Sequence, residues 1–223
     1  MTIHLAQITL AQQHPEVRRD LANPYNMHRT LCRAAVTGQD QLTHFLWRHE
    51  SLSKRTDGSS PVLLVQSNAP MEWNALSTGY LLSCQERRWD PASVLQRGRR
   101  VAFRLRANPT VHRVPQSEFS ATMPGQTARG RRKRLGLWRE ADQLEWLQRK
   151  AQQVGLAAVE AGVSQAERLR CRKGDTSITL ASALFDGRAV IADPLALVAG
   201  LHSGIGHGRM LGHGLLSLSP LRT

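Results

Sequence analysis

Two Asx–Pro dipeptides, Asn23-Pro24 and Asp193-Pro194, set the frame within which this chain can fold. An Asn or Asp side chain accepts hydrogen bonds from the unpaired N–H groups of a first helical turn. Proline at the next position has its φ already fixed and no N–H to leave unsatisfied. Each pair therefore starts a helix. The first is expected to run to about Val36 and stop before Gly38, the second to about His202. Runs rich in β-branched and apolar residues surround them and read as strands: Thr2–Leu10, His44–Arg48 and Pro61–Gln66, with a polar loop over Ser51–Ser60. Met71–Ser83 is ambiguous, with moderate helical character. Arg100–Arg106 alternates, with Val101, Phe103 and Leu105 on one face and Arg100, Arg104 and Arg106 on the other.

The resulting order is βαββαβ, the ferredoxin-like pattern of an α+β fold. A second round follows. Thr110–Val114 reads as a short strand and Pro115–Arg134 as a polar, basic connector. Trp138–Val154 carries Leu144, Leu147 and Ala151 at helical spacing, with Gly155 as its stop. Glu167–Lys173 and Thr176–Phe185 form a hairpin around Gly174-Asp175, and Asp186-Gly187 turns the chain into Arg188–Ala192. Leu215–Leu218 is the final strand. Two α+β units are expected, 1–108 and 109–223, with the boundary near Asn108-Pro109.

Charge narrows the function classes. The net charge is +13, and Arg97–Arg139 holds twelve basic residues against the single acidic Glu118. Within it, Arg129, Arg131, Arg132, Lys133 and Arg134 put five cations in six positions. A cationic run set between structured segments suits a polyanion, and nucleic acid above all. No stretch approaches the roughly 18 apolar residues that span a bilayer, and no cationic amphipathic helix accompanies the run, so a membrane partner is not expected. The start of the chain lacks a basic region followed by an apolar one. Cys32, Cys84 and Cys171 are far apart and odd in number, as suits reduced thiols in a cytoplasm. They form no CxxC pair, so no metal site is expected.

Gly204–Gly214 places five glycines in eleven positions, with His207, Arg209 and His213 between them. Glycine this dense belongs where the backbone turns with positive φ or meets another molecule closely. Backbone N–H groups around Gly206 and Gly208 then suit a phosphate. The spacing matches neither a Walker loop nor a dinucleotide fingerprint. A flexible turn before the last strand fits the same residues.

Chemistry is concentrated after the first cap. Tyr25 and His28 are three apart and project from one helical face, with Arg29 and Arg33 forming a cationic strip beside them. The early turns of a helix favour an anion, and an imidazole titrating near ~6.5 can give or take a proton at neutral pH. These parts suit proton transfer at a phosphodiester. A polar surface histidine and a packing tyrosine fit the pattern as well, and His207 with His213 is a rival pair.

The string Asp20-Leu21-Ala22-Asn23-Pro24-Tyr25-Asn26-Met27-His28-Arg29-Thr30-Leu31 resembles the N-terminal helix of the CasE family, the CRISPR repeat-processing endoribonucleases of the type I-E Cascade complex. Phe103–Pro109, Trp146–Lys150 and Gly204–Pro220 resemble three further blocks of that family in the same order. The resemblance implies tandem ferredoxin-like domains, no cofactor, and Cascade subunits as partners. It implies metal-independent cleavage of precursor CRISPR RNA at the base of the repeat stem-loop. The upstream 2′-OH would attack the phosphate, leaving a 2′,3′-cyclic phosphate and a 5′-OH. His28 takes the place of the catalytic histidine, as the general base or as the acid that protonates the leaving 5′-oxygen, and Tyr25 that of the active-site tyrosine, while Arg33 could stabilise the phosphorane charge. Cys32 departs from the supporting residues of the family.

The same resemblance implies that the hairpin carrying Arg168, Arg170, Arg172 and Lys173 docks in the major groove of the stem. Arg129–Arg134 would grip the backbone, and Arg209 would help in the glycine-rich loop. Aromatics are 5% of the chain and no RNP1-like string occurs, so stacking on an RRM-type sheet is not expected. A noncatalytic RNA-binding subunit and a DNA-binding protein are the alternatives.

Overall fold

Both Asx–Pro pairs start helices as expected. The computed structural model describes residues 2–36, 43–50, 60–113 and 133–221. In it, the first sheet contains β1 (Ile3–Leu10), β2 (Phe45–Glu50), β3 (Val62–Ser67) and β4 (Leu81–Trp89). The strands lie in the order β2-β3-β1-β4 with every neighbouring pair antiparallel. Two helices follow β1: α1 (Pro15–Ala22), which was not expected, and α2 (Pro24–Ala34). Ile8 and Leu10 of β1, Met27 and Leu31 of α2, and Leu63 of β3 share one core. The Asn23 side chain accepts from Tyr25 N at 3.2 Å, closing the first turn of α2.

The helix expected over Met71–Ser83 does not form. A 3₁₀ turn occupies Trp73–Ala75, and Leu81 already belongs to β4. The Ser77 carbonyl accepts from Tyr80 N, which closes a tight turn and drives Tyr80 inward. There its hydroxyl donates to Asp20 Oδ2 at 2.9 Å, inside the first core. Pairing with the free edge of β1 outweighs a local preference of a few tenths of a kcal/mol per residue, roughly the scale of helix propensity.

After the single turn α3 (Pro91–Val94) the chain enters β5 (Arg100–Ala107). A two-stranded ribbon of β6 (Thr110–Arg113) and β7 (Lys133–Gly136) follows, then α4 (Glu140–Gln153). The hairpin of β8 (Leu156–Lys173) and β9 (Thr176–Ile191), α5 (Pro194–Ser203) and β10 (Leu216–Pro220) complete the described chain. The second sheet is ordered β10-β5-β9-β8 and is also antiparallel. Leu105, Trp146, Phe185, Ile191, Leu197 and Leu201 form its core.

Three expectations change here. The strand at Arg100–Ala107, read as the end of the unit 1–108, lies between β9 and β10 of the second sheet. Its Val101, Phe103 and Leu105 pack into the second core, so the chain changes sheets between Trp89 and Arg100. Asp186-Gly187 is not a turn but the interior of β9. A Cβ on Gly187 would meet Glu160 O at 2.5 Å and Phe103 Cζ at 2.8 Å, so the glycine serves close packing. Lys133 and Arg134, assigned to a connector, pair in β7 with β6. The rest of that connector, with Arg129, Arg131 and Arg132, lies outside the described residues, as do Gly38 and the loop residues 51–59. No described helix is long and apolar enough to cross a membrane.

Candidate active site

The two sheets are fixed to each other by buried polar groups. Arg48 of β2 is 2% exposed and donates to Arg104 O and Leu215 O at 3.0 Å each, to Ser217 Oγ at 2.7 Å, and to Glu50. Gln66 of β3 donates to Leu201 O at 2.6 Å. A buried guanidinium is costly to desolvate unless its donors are matched, and here they are matched to both sheets. The joint brings α2 of the first unit against β8 and the glycine-rich loop of the second. Composition hid Arg48, because its value depends on the distant carbonyls of Arg104 and Leu215 and on the Ser217 hydroxyl.

Tyr25 and His28 are brought together on the partly exposed face of α2, as the spacing predicts. The imidazole stacks on Phe45 of β2 with ring centroids 5.2 Å apart. Its Nε2 lies 3.6 Å from Cys32 Sγ, one turn further along the helix. Its Nδ1 is buried without a hydrogen-bond partner among the described residues. Burial disfavours the charged ring and lowers the His28 pKa below its ordinary value, so the ring is neutral near pH 7. Burial also raises the Cys32 thiol, which stays protonated and is a weak partner that a stronger one can displace. Nε2 is therefore the nitrogen able to meet a substrate.

The cationic strip divides. Arg33 is held by Glu16 of α1 at 3.0 Å, while Arg29 is exposed. Arg19, Asn26, Arg29, Thr30 and Arg33 line one shallow polar cleft with Glu16. The larger cleft between the units, about 350 Å³, is lined by the opposite side of α2 (Pro24, Met27) with Trp47, Arg106, Glu167 and His213. It leaves His28 outside.

The expected hairpin forms and reaches α2. Arg168, Arg170 and Arg172 alternate along β8 and are exposed, and the Arg168 guanidinium stacks 4.6 Å above the Trp138 ring. At the tip, Asn23 Nδ2 donates to Arg172 O at 3.0 Å, and Lys173 Nζ lies 5.6 Å from the Tyr25 ring centroid. The second hydrogen bond of Asn23, across 149 positions, carries no sequence signal that reasoning on caps would detect.

The rival histidines separate. His213 is 0% exposed, and burial drives its pKa down to about 4. His207 is exposed and bridges to Asn108, and burial with the charges of Arg134, Lys150 and Arg209 lowers its pKa. The glycine-rich loop has reasons internal to the protein. Gly206 has φ +81, and a Cβ there would meet Trp146 Cζ2 at 3.0 Å. Gly208 has φ +90 and caps the short 3₁₀ turn at Arg209–Leu211. Arg209 is exposed and donates back to Gly204 O at 3.3 Å.

A family model described as CRISPR associated protein matches residues 3–220. The CRISPR-associated endoribonuclease Cse3 of Thermus thermophilus is 33% identical over 232 residues, covering 97% of this chain and 99% of that protein. The CRISPR system Cascade subunit CasE of Escherichia coli is 32% identical over 205 residues, covering 91% and 94%. Among solved structures, Thermus thermophilus Cse3 bound to an RNA representing a pre-cleavage complex superposes with a TM-score of 0.82. It is 31% identical and covers 99% of this chain and 100% of that one. Cas6e from Escherichia coli gives a TM-score of 0.62 at 27% identity, covering 98% and 100%.

Proposed function

Because the chain belongs to the CRISPR-associated protein family, whose relatives it matches from end to end, we propose that it is the endoribonuclease that processes precursor CRISPR RNA. It cuts within the repeat at the base of the stem-loop and stays with its product as a Cascade subunit in the cytoplasm. The observation that carries the reading is the face of α2, where Tyr25 and a neutral His28 stand one turn apart beside a basic hairpin. The repeated strand order, β2-β3-β1-β4 and β10-β5-β9-β8, supports reading the two units as tandem ferredoxin-like domains. Their division then falls between Trp89 and Arg100 rather than at Asn108.

The chemistry follows from the ring. A neutral imidazole is the base form, so His28 Nε2 takes the proton of the upstream 2′-OH as that oxygen attacks phosphorus. The bond to the 5′-oxygen breaks, a 2′,3′-cyclic phosphate is left, and the 5′-oxygen takes a proton from solvent water. Phe45 holds the ring plane, which limits the search for an attack geometry. Tyr25 positions the scissile phosphate or the 2′-OH. Arg168, Arg170 and Arg172 grip the stem through its phosphates, since the deep A-form major groove is read mainly by shape. Arg129, Arg131, Arg132, Lys133, Arg134 and Arg209 extend the contact, and Gly206 and Gly208 let the loop backbone approach it.

The test is cleavage of a stem-loop repeat RNA in EDTA by wild type and His28→Ala. Cutting by wild type alone, with a cyclic-phosphate end and none when the nucleotide before the cut is 2′-deoxy, is the expected result. Binding of a cognate repeat without cutting by either protein would leave an RNA-binding subunit and remove the catalytic assignment.

A further inference from the structure

We propose that Cys32 is a positioning residue for the cleavage: its thiol donates to His28 Nε2, keeps the ring proton on Nδ1, and leaves Nε2 as the basic nitrogen. The inference rests on the endoribonuclease reading above. It gives a role to the residue that departs from the supporting set of the family. A neutral imidazole carries one proton on one of its two nitrogens, and only the bare nitrogen can act as a base. Burial makes His28 neutral, so its tautomer decides whether Nε2 can take the 2′-OH proton at all.

A tautomer is commonly fixed by a carbonyl or carboxylate that accepts from Nδ1–H. His28 lacks that device, because its Nδ1 is buried without a hydrogen-bond partner among the described residues. Phe45 stacks on the ring at 27° and fixes its plane, but an apolar face does not distinguish the two nitrogens. Cys32 does. Its Sγ lies 3.6 Å from Nε2, on the i, i+4 spacing at which helix side chains meet. Thiol sulfur is a weak acceptor, and burial keeps the thiol protonated, so the S–H donates and the imidazole accepts. The arriving 2′-OH displaces this weak bond, and the thiol turns aside without giving or taking a proton. The elements packed against α2 carry Glu16 and Asp20 of α1, Arg172 and Lys173 of β8, His49 of β2 and Arg209 of the 3₁₀ turn. None of these shifts the ring, whose pKa burial alone lowers.

The first readout is independent of turnover. In ¹⁵N spectra of histidine-labelled protein, the His28 signals are assigned by their loss in His28→Ala. Wild type should show Nδ1 protonated and Nε2 bare near neutral pH. Cys32→Ala should move the signals toward the Nε2–H form, whereas Cys32→Ser, which restores a donor, should keep the wild-type form. Single-turnover cleavage should follow the same order. Cys32→Ala is expected to be about three- to tenfold slower, the scale of one ordinary hydrogen bond, and Cys32→Ser within about twofold of wild type. Kd for the uncleavable 2′-deoxy repeat and the unfolding midpoint should stay unchanged in both. The acid limb supplies a third readout. A donor on Nε2 favours the neutral ring, so losing it raises the His28 pKa, and Cys32→Ala should begin to lose rate at higher pH than wild type. An Nε2–H ring in wild type overturns the proposal, as does Cys32→Ala with the wild-type tautomer and rate, or Cys32→Ser as slow as Cys32→Ala. If wild type cuts nothing while its spectra show an Nδ1–H ring governed by Cys32, the endoribonuclease reading has failed and the hydrogen bond has not.

Discussion

Helices α2 and α5 begin with the same device and end in different occupations. Each has an Asx side chain accepting from the first turn, 3.2 Å at Asn23 and 3.0 Å at Asp193, followed by proline. In α5 the sequence PLALVAGLHS buries Leu197 and Leu201 in the second core and contains no Asp, Glu, Lys or Arg. In α2 the buried side is equally apolar, with Met27, Leu31 and Ala34, but the outer side carries Tyr25, His28, Arg29 and Arg33. A cap decides where a helix starts. What the helix does is decided by the face its neighbours leave uncovered, and only α2 has a facing hairpin tip to make that face a site.

The largest effect should break the symmetry outright. His28→Ala is expected to reduce cleavage by about 10²–10⁴-fold, the range for a general base, with stem-loop affinity and unfolding midpoint nearly unchanged. A fall in affinity of similar size would make His28 a binding residue. The matching change in α5, Leu197→Ala, removes a side chain that is 0% exposed and should lower unfolding free energy by about 3–4 kcal/mol in urea titrations. Cleavage per folded molecule should survive it. Loss of turnover in a still-folded Leu197→Ala protein would mean that α5 shapes the site directly.

The two histidines that the sequence set against each other differ in the same way and offer a pH test. His213 is buried in the glycine-rich loop with its pKa lowered to about 4, so the unfolded chain binds this proton first. Stability should therefore fall as pH drops from the unfolded value near ~6.5 through the folded value, by about 3 kcal/mol in total. His213→Gln should flatten that slope in denaturant titrations at stepped pH. His28 is also shifted down, so cleavage should hold level from neutral pH and decline only below the ordinary imidazole range. A rate that rises on acidification to pH 6 would make His28 the acid rather than the base.

Much of this was legible because the signals were local. Both caps, the hairpin turn at Gly174-Asp175 and the helix at Trp146–Leu147 depend on residues within a few positions, and each formed. Tyr25 and His28 share a face because three residues nearly complete a helical turn. What failed depends on remote partners. Met71–Ser83 follows the free edge of β1 instead of its own propensity, and Leu105 of β5 takes its place from Phe185 and Leu216, eighty or more positions away. Gly206 and Gly208, matched to phosphate by density alone, also answer to Trp146 and to a 3₁₀ turn. The Arg48 joint and the Asn23–Arg172 contact were invisible for the same reason.

The smallest effects sharpen the comparison most. Asn23→Ala and Asp193→Ala each remove a cap and should each cost about 1 kcal/mol of stability. If caps were all that mattered, the two variants would behave alike in cleavage. Asn23 differs in spending its amide on the Arg172 carbonyl while its Oδ1 serves the helix. Asn23→Ala should therefore lower the cleavage rate severalfold beyond the Asp193→Ala control. Asn23→Asp, which keeps the accepting oxygen and loses the donating amide, should restore the stability but not the rate. Restoration of both would show that Asn23 only starts the helix, and that the hairpin tip finds α2 without it.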